Sequence, residues 1–253
     1  MTSLDLAPSM ASQLRNCRRY WLGYDSDNRA DGKVSLYRSG VRHGQLNGIL
    51  RVTAGRFPEA LAPSESFGAL PWIWWVGPDS YPGLAGDLLG AGAVEVGRLP
   101  VMAAPIDEVT DVDVPPGLTI EQVPASGSLE AWVDAYATPL GVEPDQRSAA
   151  VLMEAGHREA PQHLIRFAGR VDGRVVATSA LLDNDGVAGI YVVATQESYR
   201  RRGIGAALTA AAVAEGRRRG LPLASLQATA MGRPVYERLG LRPVAEYRLF
   251  TYS

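Results

Sequence analysis

The residues with the most chemical potential are three arginines and two glycines, Arg200-Arg201-Arg202-Gly203-Ile204-Gly205. They follow the polar residues Gln196, Glu197 and Ser198 and open an alanine-rich stretch from Ala206 to Leu208. Such a run suits the start of a helix, where the first N–H groups lack acceptors and the macrodipole is positive. Glycines let an anion approach the main chain there, and the guanidinium groups add charge on the same side. The predicted chemistry is a phosphate cradle. A second arginine triplet, Arg217-Arg218-Arg219, ends the same helix about 20 Å away, too far to share one diphosphate; cations are expected at a helix C-terminus. His43, His157 and His163 show no metal-ligand spacing, and no metal is expected. Trp72, Trp74 and Trp75 read as a buried strand rather than a stacking platform. Cys17, the one cysteine, excludes an internal disulfide and reads as an inert, half-buried thiol in a reducing compartment.

The cradle needs a strand before it and a helix after it. Ile190 to Thr195 is an apolar, β-branched run, the end of a strand from Val187 to Ala194. The helix is expected from about Ile204 to Arg219. Around this pair, Leu118 to Val123 alternates as a strand, and Ser128 caps a helix through Tyr136. A second helix runs from Asp145 to about Gly156. His163–Ala168 and Arg174–Leu182 form a hairpin at Asp172-Gly173, and Asp183 to Gly186 makes the next turn. Leu223–Thr229 is a strand, Pro234–Leu239 a short helix and Val244–Tyr252 a last strand. This order predicts an α/β (α+β) layer structure, with a mixed, mostly antiparallel sheet flanked by helices rather than a doubly wound one.

The first hundred residues show paired strands at Val34–Val41 and Gln45–Val52, a buried strand at Pro71–Val76, a short helix at Leu84–Leu89 and a strand at Val94–Ala104. The acidic, Pro-rich stretch Val101–Pro116 reads as a seam, dividing the chain into units 1–112 and 113–253. Laying Ser80-Tyr81 over Ser198-Tyr199 aligns two strand–loop–helix units. Asp87 then faces Gly205, so the first unit reads as a repeat that has lost its anion site.

The chain has 253 residues, 46% hydrophobic and 21% charged, with a net charge of −2. These values suit globular units with a real core and give no basis for nucleic-acid or membrane partners. The N-terminal residues lack a signal-peptide apolar core and no run approaches membrane-spanning length, so a cytoplasmic protein is expected.

Arg200-Arg201-Arg202-Gly203-Ile204-Gly205 resembles the Q/R-x-x-G-x-G/A signature of the GCN5-related N-acetyltransferase (GNAT) superfamily. Val193-Ala194-Thr195 stands where that family has its splayed central strand, and Val235–Leu241 resembles its tyrosine-bearing segment. The resemblance covers about Gly117 to Ser253, and the Pro71–Pro105 stretch looks like the degenerate first half of tandem members. It implies acetyl-coenzyme A as co-substrate, contacted by Val193, Ala194, Thr195, Arg200, Arg201, Arg202, Gly203, Ile204, Gly205, Ala206 and Thr229. The diphosphate would sit on the helix start, and the amide-rich arm would bond to the strand's free backbone groups. A backbone N–H near Val193 would hold the oxyanion. Tyr236 stands where the family's usual acid stands; a phenol with a pKa near 10 remains protonated at neutral pH and can donate to the departing thiolate.

Glu121, Glu154, Asp183 and Tyr191 are candidates for the base, and spacing singles out none of them. The expected activity is transfer of an acetyl group to a primary amine of a small molecule or protein. The alternative is a coenzyme A-binding regulatory module without turnover. A dinucleotide site fails because Leu208 stands where a third glycine is wanted and no acidic residue stands about 20 positions on. The N-terminal unit is expected either to close one wall of the acceptor pocket or to form a homodimer surface.

Overall fold

The computed structural model describes residues 7–24, 26–28, 32–53, 66–124 and 129–252. The predicted capping residue Ser128 lies outside them. Six helices and eleven strands make up these residues: α1 (Ala7–Leu22), β1 (Ser26–Asn28), β2 (Val34–Arg38), β3 (Asn47–Val52), β4 (Ile73–Val76), α2 (Leu84–Gly90), β5 (Val94–Pro105), β6 (Leu118–Gln122), α3 (Glu130–Leu140), α4 (Arg147–Ala155), β7 (Leu164–Val171), β8 (Arg174–Asn184), β9 (Val187–Thr195), α5 (Ile204–Arg218), β10 (Leu223–Gln227), α6 (Arg233–Arg238) and β11 (Arg242–Thr251).

All eleven strands join one sheet, in the order β1-β2-β3-β4-β11-β5-β10-β9-β8-β7-β6. Most neighbours are antiparallel, while β3 with β4 and β9 with β10 are parallel. The order is a palindrome about the central β11–β5 pair. Reading outward, β4 corresponds to β10, β3 to β9, β2 to β8 and β1 to β7, with the same directions at each step. β6 has no counterpart. In space the two halves interlock: β5 of the first lies between β10 and β11 of the second.

This correspondence corrects the overlay of Ser80-Tyr81 on Ser198-Tyr199. That overlay matches β4 with β9, whereas the sheet places β4 opposite β10 and β3 opposite β9. The counterpart of the Arg200 loop therefore follows β3 and enters residues 54–65, outside the described residues. Asp87, on α2, corresponds to the α6 region and not to Gly205.

Helices cover both faces. On one, α5 and α6 pack Leu208, Ala212, Val213, Tyr236 and Leu239 against Ile190, Ala224 and Leu226, while α2 places Leu84 and Leu88 beside Ile49, Trp74 and Phe250. On the other, α3 and α4 pack over Leu182 and Tyr191. The unanticipated helix α1 runs along this second face, burying Leu14 and Cys17 with Leu50, Trp75 and Tyr247 of the first half. Its Tyr20 joins the cluster of the second half. Trp74 and Trp75 are buried on opposite faces of β4, and Trp72 stacks on Phe67 at 4.8 Å. Burial pushes the Cys17 thiol up to about 12, so it stays protonated and inert.

Candidate active site

The site forms where β9 and β10 part. Their parallel pairing runs from Val187–Leu223 to Ile190–Leu226 and stops. Beyond Ile190, β9 breaks its ladder with β8 as well: Thr178 opposes Ala194 and Ala180 opposes Tyr191, so Val192 and Val193 share the place of Ser179. Val192 occupies the left-handed region with φ 48°, a conformation that costs a β-branched residue about 1–3 kcal/mol and must be held by its surroundings. Thr178 supplies one hold, its Oγ1 donating to Val192 O at 2.7 Å. Among the described residues no backbone hydrogen bond joins 192–195 to β10 or to residues 228–232. The strand therefore offers unpaired main-chain groups to a gap.

The glycine-opened helix begins at the mouth of this gap. A single 3-10 turn, Glu197–Tyr199, leads out of β9. Arg201 then takes φ 62° and Gly203 φ 78°, which turns the chain so that α5 starts at Ile204 without a side-chain cap. The first amide to bond back is that of Ala207, to Gly203 O at 3.0 Å; the preceding amides are the orphan donors of a helix start. A Cβ on Gly205 would lie 3.7 Å from Thr195 Oγ1, so the second glycine sits beside the unpaired end of β9. Arg200 Nε donates to Thr195 O at 3.2 Å, tying the loop to that strand. Arg202 bonds Ser198 O and covers the Tyr199 ring at 5.3 Å, and Arg201 is exposed. The expected cradle residues Arg200 to Ala206 and strand residues Val193 to Thr195 thus share one cleft mouth.

Thr229 and Tyr236 come from the far side of the gap. Thr229 is exposed and shapes the turn into α6, its Oγ1 accepting from Gly232 N–H at 3.1 Å and its carbonyl from Arg233 at 2.9 Å. Tyr236 is buried at 8% exposure. Its ring presses on Gly232, where a Cβ would come within 2.9 Å of Cε2. Burial pushes its hydroxyl up to about 12.

The four base candidates are all engaged. Glu121 accepts from Arg170 at 2.6 Å, and Asp183 pairs with Arg219 at 3.2 Å. Glu154 is buried against Arg166 at 2.8 Å and accepts from Tyr24 and Tyr136. The Tyr191 hydroxyl donates to Asn16 Oδ1 at 2.6 Å. Glu154 borders, through Tyr24 and Tyr136, the buried cluster that holds Tyr191, and Glu121 and Asp183 lie outside it. Arg217 anchors the seam through Ile106 O, Val109 O and Asp111, while Arg218 and Arg219 bind Glu215. Among the described residues no three His, Cys, Asp or Glu side chains group as a metal site, and no helix is long and apolar enough to cross a membrane.

In the first half, the equivalent gap between β3 and β4 is filled by the chain itself. Pairing covers only Gly48–Ile73 and Ile49–Trp74. Beyond them Tyr81 N–H donates to Val52 O at 2.7 Å, and Val52 N–H donates to Ser80 Oγ at 3.4 Å.

Comparison with known proteins agrees with this geometry. Residues 129–241 match the acetyltransferase (GNAT) family. The fold is similar to that of a GCN5-related N-acetyltransferase from Kribbella flavida, with 22% identity, a TM-score of 0.69 and coverage of 98% of this chain and 96% of that one. A GCN5-related N-acetyltransferase-like protein from Streptococcus suis 89/1591 is 16% identical, with a TM-score of 0.59 over 96% of this chain and 100% of that one. A tandem GNAT protein from the clavulanic acid biosynthesis pathway is 15% identical, with a TM-score of 0.59 over 88% of this chain and 80% of that one. Among curated proteins none matches the chain. The family match, the fold and the glycine-opened helix beside a bulged, parting strand converge: residues 129–241 are an acetyltransferase domain of the GNAT family.

Proposed function

We propose that this chain is an acetyl-coenzyme A-dependent N-acetyltransferase acting on a primary amine of a small molecule or protein. One observation carries the reading: the uncapped start of α5 and the unpaired end of β9 lie side by side, joined by the Arg200–Thr195 hydrogen bond. Orphan amides from Arg202 to Ala206 suit a diphosphate, with Arg200, Arg201 and Arg202 adding charge. Val193, Ala194 and Thr195 suit an amide-bearing arm laid against a strand, and Thr229 closes the far side.

With the thioester in the gap, the neutral amine attacks its carbonyl carbon; a C–N bond forms and the carbonyl electrons move onto oxygen. The Val193 N–H stabilises that oxyanion, a contribution of about 3 kcal/mol in acyl-transfer sites. Collapse breaks the C–S bond, Tyr236 gives its phenolic proton to the leaving sulfur, and the proton lost by the amine goes to water and returns to the phenolate. The products are an amide and coenzyme A.

The regulatory alternative has one observation in its favour, that every candidate base is already paired. Release of coenzyme A thiol across a panel of amines decides between the two: binding of acetyl-coenzyme A with no release at any amine supports the module. We further propose that 1–112 and 113–253 are two GNAT-like units, the first without a cofactor site because residues 80–81 occupy its gap.

A further inference from the structure

Helix α1 belongs to the first unit, yet its buried polar contacts are to β8 and to the two strands that part in the second. Asn16, 1% exposed, shares its two Nδ2 hydrogens among Leu182 O and Asn184 O of β8, each at 3.1 Å, and Val187 O of β9 at 3.0 Å. Its Oδ1 accepts from the Tyr191 hydroxyl. Gly189 admits this approach, since a Cβ there would fall 2.0 Å from Asn16 Oδ1. One turn along α1, Tyr20 stacks flat on the Tyr191 ring, with centroids 3.8 Å apart and planes at 2°. One turn the other way, Gln13 Oε1 accepts from Ser225 Oγ of β10 at 2.9 Å. Residues 13, 16 and 20 share one face of the helix, so a single rigid element grips both arms of the gap.

Tyr191 immediately precedes Val192, whose left-handed conformation must be enforced from both sides. Thr178 holds the carbonyl side. We propose that α1 is a positioning helix for acetyl transfer. Through Asn16 and Tyr20 it fixes Tyr191, and through Gln13 it fixes Ser225, so that the bulge aims the Val193 N–H at the thioester oxygen. This rests on the function proposed above. It makes the first unit a structural part of the second unit's active site. The transition-state donor is then disturbed by changes in α1, while the diphosphate site at α5 is left intact, so the effect falls on kcat and spares acetyl-coenzyme A affinity.

The test uses the full chain with n-butylamine as acceptor, measuring thiol release, calorimetric affinity for acetyl-coenzyme A and hydrogen exchange at 187–196. Tyr191→Phe keeps the stacked ring and removes the hydroxyl. We expect kcat to fall by about tenfold, a fraction of what loss of a whole oxyanion donor costs. Affinity should stay within about twofold, and exchange should accelerate in 192–195 but not in α5. Ser225→Ala should lower kcat in the same way. Tyr37→Phe, an equally buried tyrosine whose hydroxyl donates to Gln45 O in the first half, should match the wild type. Equal kcat for Tyr191→Phe and wild type overturns the proposal, as does equal loss in Tyr191→Phe and Tyr37→Phe. A wild type that neither binds nor consumes acetyl-coenzyme A overturns the cofactor reading itself.

Discussion

Removing one oxygen from Tyr236 separates its chemistry from its packing. The ring lies on Gly232 and within the α5–α6 core, and Phe preserves both contacts. Its hydroxyl has no hydrogen-bond partner among the described residues, so the stability cost of Tyr236→Phe should stay below about 0.5 kcal/mol. That corresponds to a Tm change of about 2 °C or less in a chain of this size. The catalytic cost should be larger. A general acid supplies about 10²–10⁴ in rate, and a thiolate, with an ordinary thiol pKa of about 8.5, already leaves readily. The expected fall in kcat is therefore near the lower limit, about 10²-fold, or about 2.7 kcal/mol. With the hydroxyl held near 12, the deficit should persist unchanged from pH 7 to 10, because the wild-type phenol does not ionise there. The assay is thiol release at saturating acetyl-coenzyme A, with whichever amine the wild type turns over, and differential scanning calorimetry on both proteins. An unchanged kcat refutes the reasoning. So does a Tm drop of more than about 4 °C, which would make the hydroxyl a packing group.

Four further outcomes are expected. Gly205→Glu places a carboxylate on the orphan amides of α5 and should abolish calorimetric binding of coenzyme A while leaving the melting curve near wild type. Wild-type protein should bind one coenzyme A per chain, since residues 80–81 fill the first-half gap; a stoichiometry of two defeats this. Burial lowers the His157 pKa to about 4, below its unfolded value, so stability present above pH 6.5 is lost as pH falls toward 4. At pH 5 the loss is about 2 kcal/mol, and His157→Gln should show a smaller Tm decrease than wild type between pH 8 and 5. Hydrogen bonds from Arg218, then Arg219, lower Glu215 to about 2, so its stabilisation is present above pH 4.5 and lost as pH falls through 2. Because Arg218 is exposed, Glu215→Gln should cost only about 1 kcal/mol at pH 7, a gap in Tm that closes near pH 2.

The second half was legible because local chemistry and position agree there. Gly203 takes the positive φ that a glycine before a helix suggests. The Asp172-Gly173 and Asp185-Gly186 turns both use left-handed residues, so the hairpin and the following turn fall where the sequence places them. Helix α1 was hidden for a physical reason. It buries Gln13 and Asn16 beside Leu14 and Cys17, so its inner face reads as polar until partners on β8, β9 and β10 are known. The Val192 bulge has no local signal, because a β-branched residue at positive φ is imposed by tertiary contacts. The overlay of the two halves was misregistered: strands flanked by short helices match at more than one offset, and only the pairing of β5 and β11 fixes which strand stands opposite which in the symmetric sheet order.

The central claim is that α5 and β9 together hold a coenzyme A thioester, and it meets its most direct test in calorimetric titration of acetyl-coenzyme A into wild type and Gly205→Glu side by side. The account predicts saturable heat at one ligand per wild-type chain, weakening as salt rises, and none with the variant. Absence of heat with the wild type, or equal heat with both proteins, contradicts it.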